Sequence, residues 1–339
     1  MRVPNSGARR WLGAVLVVVA AVTAQAAAAD ARSAHQWLQR MVSAMQETDY
    51  TGVFVYRQGA STPESMRIVH RGGEAADEVE ERLHSLDGVA REIIRDGNRV
   101  TCILPDSRSV MVDHRQVRNP LTSVLPADTD SIGRYYRLDT GGVTRVAGRE
   151  AQRIRIEAAD DYRYGYRFWI DTGTGVMLRA DLVHGDDTLE QVVFTEIQFP
   201  DDIPDKLLEP HLSGRDFTWY KADPDGEEHD GQKKVFEPDW HLGFIPGGFA
   251  LRLSERRHMP TGIEGPVEHR MYSDGLAAVS VYVSHLDSKL PRFEGLSRMG
   301  AFSAFGRVSD ERQVVVVGEV PPRAVMEIAR SFAPGAPSK

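Results

Sequence analysis

The sequence predicts an α+β protein, mainly antiparallel β, built as two units joined by a linker. Three observations carry that expectation. Between residues 50 and 198, short strand-like runs recur at even spacing with turn residues between them. Sustained helical periodicity is confined to one stretch before these runs and another near the C-terminus. From 200 to 234 the pattern breaks into prolines and polar residues, and a second set of runs follows.

Composition sets the outer bounds. The 339 residues are 41% hydrophobic, 27% charged and 8% aromatic, enough apolar material for two packed cores and far from a multi-span membrane chain. A formal net charge of −8 disfavours general nucleic-acid binding, which needs a phosphate-neutralising surface. Residues 1–29 read as a secretory signal: Arg9 and Arg10 form the basic end, 11–24 is the apolar run, and Ala26, Ala27, Ala28 and Ala29 supply small residues for cleavage. The run falls short of the ~20 residues that span a bilayer, so a retained anchor is the weaker alternative. Cys102 is the sole cysteine, so no intrachain disulfide can form and stability must come from apolar packing. A cleaved, soluble, periplasmic product is expected.

Residues 33–48 place Trp37, Leu38, Met41, Val42 and Met45 on one helical face, with Ser33 or Asp30 available as N-cap. Strand-like runs follow at 50–57, 65–71, 78–84, 90–95, 99–104, 109–113, 134–138, 151–158, 162–170, 176–184 and 188–198. One short helix is expected within this meander at 120–125, where Asn119 precedes Pro120. In 162–170, alternation puts Tyr162, Tyr164, Tyr166, Phe168 and Ile170 on one face and Arg163, Gly165, Arg167 and Trp169 on the other. The aromatic face reads first as a dry core. Its second reading is a cavity wall for an acyl chain, with Ile156, Tyr164, Tyr166 and Phe168 as candidate ligand-binding residues. Arg163 and Arg167 are expected on a solvated face, with phosphate headgroups as the lesser alternative.

The polar stretch 221–234 (KADPDGEEHDGQKK) is the heart of the linker. Beyond it, runs at 250–257, 267–272, 276–286, 301–308 and 313–317 predict a small antiparallel sheet. A helix begins after Pro321-Pro322, with Val325, Ile328, Ala329 and Phe332 on one face. The interval 286–301 gives no assignment.

Several motifs come near to known chemistry and stop short of it. Asp171-Thr172-Gly173 matches the aspartic-protease tripeptide, yet there is no second copy to share a proton, and the following Thr174-Gly175 favours a hairpin turn. Cys102, with His70, His84 or His114 as bases, lies in a strand-like run away from any helix N-terminus, which favours a buried inert thiol. The histidines show no zinc-site spacing, 128–130 lacks the Gly and Glu of a calcium loop, and 141–144 lacks the P-loop lysine. No catalytic residue, metal or cofactor is expected.

Residues 50–56 (YTGVFVY), 64–71 (ESMRIVHR), 81–88 (ERLHSLDG), 91–97 (REIIRDG) and 100–106 (VTCILPD) resemble the opening strands of the MucB/RseB family of sigma-factor regulatory proteins. So do 162–171 (YRYGYRFWID) and 189–191 (LEQ), and later 246–249 (PGGF), 271–276 (MYSDGL) and 318–322 (GEVPP). The resemblance runs from about residue 37 to residue 332, although 72–77 and 286–300 carry no motif that aligns.

That resemblance implies a large half-open β-barrel with a helical cover, of the LolA and LolB kind, then a linker and a smaller α+β C-terminal domain. The implied boundaries are 1–29 for the signal peptide, 30–204 for the first domain, 205–234 for the linker, 235–333 for the second domain and 334–339 for a tail. It further implies a periplasmic, non-enzymatic negative regulator of an extracytoplasmic-function sigma factor. Its partner would be the periplasmic part of an anti-sigma factor like RseA or MucA, shielded from regulated proteolysis and released when lipid or lipopolysaccharide binds. No nucleic acid enters this scheme, and the oligomeric state, a homo-oligomer included, stays open. A lipoprotein or lipid carrier of the LolA type is the main alternative and would need only the barrel. An exported hydrolase is the third reading and lacks a catalytic constellation.

Overall fold

The computed structural model describes residues 33–113, 132–221, 238–257, 266–286 and 292–335. The expected signal segment, the short helix at 120–125 and most of the polar linker lie outside the described residues.

Helix α1 (Ala34–Glu47) starts at a capping box in which Ser33 and Gln36 satisfy each other's backbone N–H groups. Its buried face holds the expected Trp37, Leu38, Met41 and Met45, with Ala34 and Ala44 completing it, while Val42 is only half-buried. Eleven antiparallel strands follow: β1 (Tyr50–Gln58), β2 (Glu64–Arg71), β3 (Glu80–Ser85), β4 (Glu92–Asp96), β5 (Arg99–Leu104), β6 (Ser109–Asp113), β7 (Tyr136–Val146), β8 (Arg149–Ala158), β9 (Gly165–Asp171), β10 (Met177–His184) and β11 (Asp187–Gln198). A twelfth, β12 (Thr218–Lys221), adds itself parallel to β6.

The sheet order is β12-β6-β5-β4-β3-β2-β1-β11-β10-β9-β8-β7. Pairing of β1 with β11 brings the two halves of the meander together, while β7 and β12 remain at opposite edges. The result is a half-open barrel, mainly antiparallel, with α1 packed into its concave side. Tyr50, Phe54, Ile68, Tyr166, Phe168, Ile154 and Phe194 join the α1 residues in one core. Gly52 is required there: a side chain on it would sit 2.9 Å from the Phe194 ring and 2.6 Å from Glu196 O. Arg40 of α1 also donates to Thr172 O at 3.1 Å, fixing the helix to the β9–β10 turn.

The convex side is strapped by the chain after β11. Ile203 and Leu208 pack on Val69, and the strap is then fastened electrostatically. Glu92 accepts from Arg82 Nε at 2.5 Å and from the N–H groups of His211 and Leu212 at 3.0 and 2.8 Å. Thus residues 205–221, read from sequence as linker, include a short 3-10 turn at Asp205–Leu207 and strand β12.

The second unit begins with β13 (Trp240–Leu242), which pairs with the last strand, β20 (Phe332–Pro334). Between them stand β14 (Ala250–Arg257), β15 (Val267–Ser273), β16 (Ala278–His285), β17 (Gly295–Met299), β18 (Phe302–Ser309), β19 (Arg312–Gly318) and helix α2 (Pro322–Arg330). Their sheet order is β14-β15-β16-β19-β18-β17. Val279, Val281, Val283, Val314 and Val316 form its inner face, covered by Ala324, Val325, Ile328 and Ala329 of α2.

Arg163 departs from the sequence expectation. Strand β9 begins at Gly165, so the alternation does not reach back to Arg163, whose side chain is 0% exposed rather than solvated. Trp169 is also buried, and Arg179 lies over its ring at 4.2 Å.

Candidate functional site

Two groups of side chains join the large and small units, and a cavity opens beside one of them. In the first group Arg163 leaves the loop ahead of β9 and enters the small unit. Its Nη1 donates to Asp274 Oδ2 at 2.7 Å, Nη2 to Gly247 O at 2.6 Å, and Nε to Asp160 Oδ1 at 3.0 Å. The rings of Tyr135, Tyr136 and Phe249 lie 4.8, 5.5 and 5.0 Å from the guanidinium carbon.

Asp274 is equally engaged. Oδ2 also accepts from the Tyr136 hydroxyl at 3.0 Å, while Oδ1 accepts from the N–H groups of Leu276 and Ala277. A charge pair excluded from water is tolerable only when its remaining donors and acceptors are met in this way. Burial, and then the charge on Asp274, pushes the Tyr136 phenol far above its ordinary range, so it remains a donor. The PGGF segment provides the seat: Gly248 has φ +90 and faces the Tyr135 ring so closely that a side chain there would collide with it. At the rim, Arg323 pairs with Asp161 at 2.7 Å and the Tyr162 hydroxyl donates to Glu327 at 2.7 Å.

The second group surrounds Glu190 on β11. Its carboxylate accepts from the Tyr56 hydroxyl and Gln58 Nε2, both at 3.0 Å, and from the Ala301 N–H of the small unit at 3.3 Å. Burial, followed by the Glu190 charge, pushes the Tyr56 phenol far upward. Next to this contact is a cavity of about 280 Å³. Its floor is the concave sheet: Met66, Leu83, Ile93, Ala180, Leu182 and Val192. Arg91 and Glu190 stand on its wall, and Phe302 and Glu319 reach it from the small unit. Arg91 Nη2 donates to Glu64 at 2.6 Å, whereas its buried Nε–H has no acceptor among the described residues.

Ile156, Tyr164, Tyr166 and Phe168 are brought together on or beside β8 and β9, each buried. They do not line this cavity. Tyr166 and Phe168 stack at 5.8 Å in the core, and across the β9–β10 ladder they pair with Leu182 and Ala180, which do line it. The cavity therefore lies one strand further along the same apolar face, where α1 no longer fills the concavity. Sequence reasoning missed Arg91, Glu190 and Phe302. The available signals were the REIIRDG and LEQ segments, which mark strands without showing which side chains converge.

The remaining candidates settle into structural positions. Asp171 Oδ1 accepts from the N–H groups of Gly173 and Thr174 at 3.0 and 2.7 Å, and its other oxygen pairs with Arg149. It organises the β9–β10 hairpin turn. Cys102 is half-buried, and burial raises its thiol above the ordinary value, with Arg91 opposing weakly. Among the described residues no group of His, Cys, Asp and Glu is arranged to hold a metal, and no helix is long and apolar enough to cross a membrane.

Comparison with known proteins agrees with this architecture. Residues 33–212 match the MucB/RseB N-terminal domain and residues 235–333 match the MucB/RseB C-terminal domain. The chain is 30% identical over 325 residues to the sigma-E factor regulatory protein RseB of Salmonella typhimurium, spanning 95% of this chain and 97% of that one. It is also 30% identical over 314 residues to the sigma factor AlgU regulatory protein MucB of Pseudomonas aeruginosa, spanning 91% and 93%. Among solved structures, the complex of Pseudomonas aeruginosa MucA/MucB superposes with a TM-score of 0.68 at 26% identity, covering 89% of this chain and 99% of that one. A crystal structure of MucB gives a TM-score of 0.60 at 25% identity, covering 89% and 98%. Both domains, in order and nearly whole, place the chain: it belongs to the MucB/RseB family.

Proposed function

We propose that this chain is a periplasmic negative regulator of an extracytoplasmic-function sigma factor. It binds the periplasmic part of a membrane anti-sigma factor, shields that segment from regulated proteolysis, and is released when lipid or lipopolysaccharide binds. The observation that carries the reading is the match of both domains to a relative whose solved structure is a MucA/MucB complex. Export through the basic and apolar N-terminal segment belongs to the same proposal.

The lipid step has a physical requirement. A ligand shifts a two-state equilibrium only through its differential affinity for the two states. The apolar floor of the cavity, one strand away from the packed Ile156, Tyr164, Tyr166 and Phe168, is the place we assign to the acyl chain. At ~0.8 kcal/mol per buried methylene, five methylenes contribute about 4 kcal/mol, close to a thousandfold in affinity.

The test is capture and protection. The purified protein should retain the periplasmic segment of the anti-sigma factor encoded beside its sigma factor, and should slow cleavage of that segment by a site-1-type protease. Folded protein that does neither in detergent-free buffer would refute the regulator reading.

A further inference from the structure

The residues joining β17 to β18 belong to the small unit by sequence and to the large unit by packing. Ala301 is fully buried within the core cluster of the large unit, and Leu276 packs against the same cluster. Gly300 ahead of it has φ +59, a conformation suited to glycine, and a side chain built there would collide with Gln58 at the end of β1. The turn is thus shaped to the surface it meets. Glu190 catches it by accepting the Ala301 N–H, and Tyr56 and Gln58 hold that carboxylate in place. The next residue, Phe302, closes one side of the cavity.

Volume decides what this closure permits. The cavity holds about 280 Å³, just under the ~300–1,000 Å³ that encloses a drug-sized ligand. A long acyl chain and its headgroup need more than the space left beneath Phe302. The floor itself is apolar, while Arg91, Glu190 and Glu319 give its wall a polar rim, the division an amphiphile's tail and head require.

We infer that the corner formed by Ala301 and Phe302 is a stopper in the mouth of the half-open barrel, and that a single-chain amphiphile enters only as this corner withdraws. The inference rests on the lipid-release part of the function proposed above and assigns its gate. Withdrawal breaks the Glu190 contact with the small unit, so the amphiphile favours one arrangement of the two units over the other. That difference is what a releasing ligand requires.

The test locks the stopper. Gln58 and Gly300 are close enough for a disulfide after Gln58→Cys and Gly300→Cys in a Cys102→Ser background, made in the full chain. Dansyl-undecanoic acid is the probe, followed by its fluorescence. The reduced protein should bind it, and the oxidised protein should bind at least about tenfold more weakly. Adding Phe302→Ala to the oxidised protein should recover affinity by enlarging the cavity. Equal affinity in the two redox forms, no binding in either, or no recovery with Phe302→Ala overturns the inference. Capture of the anti-sigma segment, measured on the same two forms without amphiphile, separates this outcome from failure of the regulator reading.

Discussion

The Arg163 guanidinium donates to the Asp274 carboxylate at 2.7 Å across the boundary between the two units, with the two side chains 0% and 1% exposed. The pair joins a loop of the large unit to a turn of the small one, and neither charge has water to fall back on.

Arg163→Met should therefore cost about 3–5 kcal/mol, because it leaves a buried carboxylate without its counter-ion. The double variant Arg163→Met/Asp274→Asn should recover part of that loss. Urea unfolding followed by circular dichroism checks both, and the single variant should separate the transitions of the two units. A change below ~1 kcal/mol would show that water reaches the pair.

Acid should loosen the strap before it unfolds the sheet. Burial acts to raise the Glu92 carboxyl, but the N–H groups of Leu212 and His211 together with Arg82 outweigh it and hold it below its ordinary 4.5. A depressed carboxyl stabilises the folded state above the unfolded value, and that contribution disappears as pH falls through the folded value. Amide hydrogen exchange at His211 and Leu212, corrected for intrinsic rates, should accelerate below about pH 4.5. Glu92→Gln should flatten this dependence and weaken the strap at neutral pH.

Cys102 should react sluggishly with a disulfide reagent at neutral pH, since burial holds its thiol up. Its rate should rise to that of free cysteine in denaturing urea. Rapid labelling of the native protein would contradict a half-buried, protonated thiol.

Phe168→Ala should destabilise the large unit by about 3–5 kcal/mol, the cost of emptying an aromatic position in a packed core. Phe168 is 0% exposed and stacks on Tyr166. Thermal unfolding reads the effect directly. A near-neutral result would mean that this wall already borders empty space.

Much of the fold could be read from turn chemistry. Asp96-Gly97-Asn98 separates β4 from β5 where expected, and the same holds at Gly185-Asp186-Asp187 between β10 and β11. Strand β7 runs on to Val146 because Gly141 and Gly142 form an irregularity within the strand, not a terminus. Strand β17 escaped notice because Leu296, Ser297, Arg298 and Met299 are all exposed, so no alternation marks it. The parallel pairing of β12 with β6 depends on a strap crossing a convex face, a long-range relationship with no local signal. The site was less legible for the same reason. Arg163 looked like one more outward cation in an alternating strand, and only the second unit's turn reveals why it is buried.

Asp274 has one oxygen committed to its own turn and the other to a neighbouring domain. Substitution there must satisfy two neighbourhoods at once. Asparagine would keep the turn and weaken the fastening, while glutamate would carry the charge a methylene too far for both. Local shape and quaternary-like docking are thus tied to a single atom group, leaving this position almost no freedom to drift.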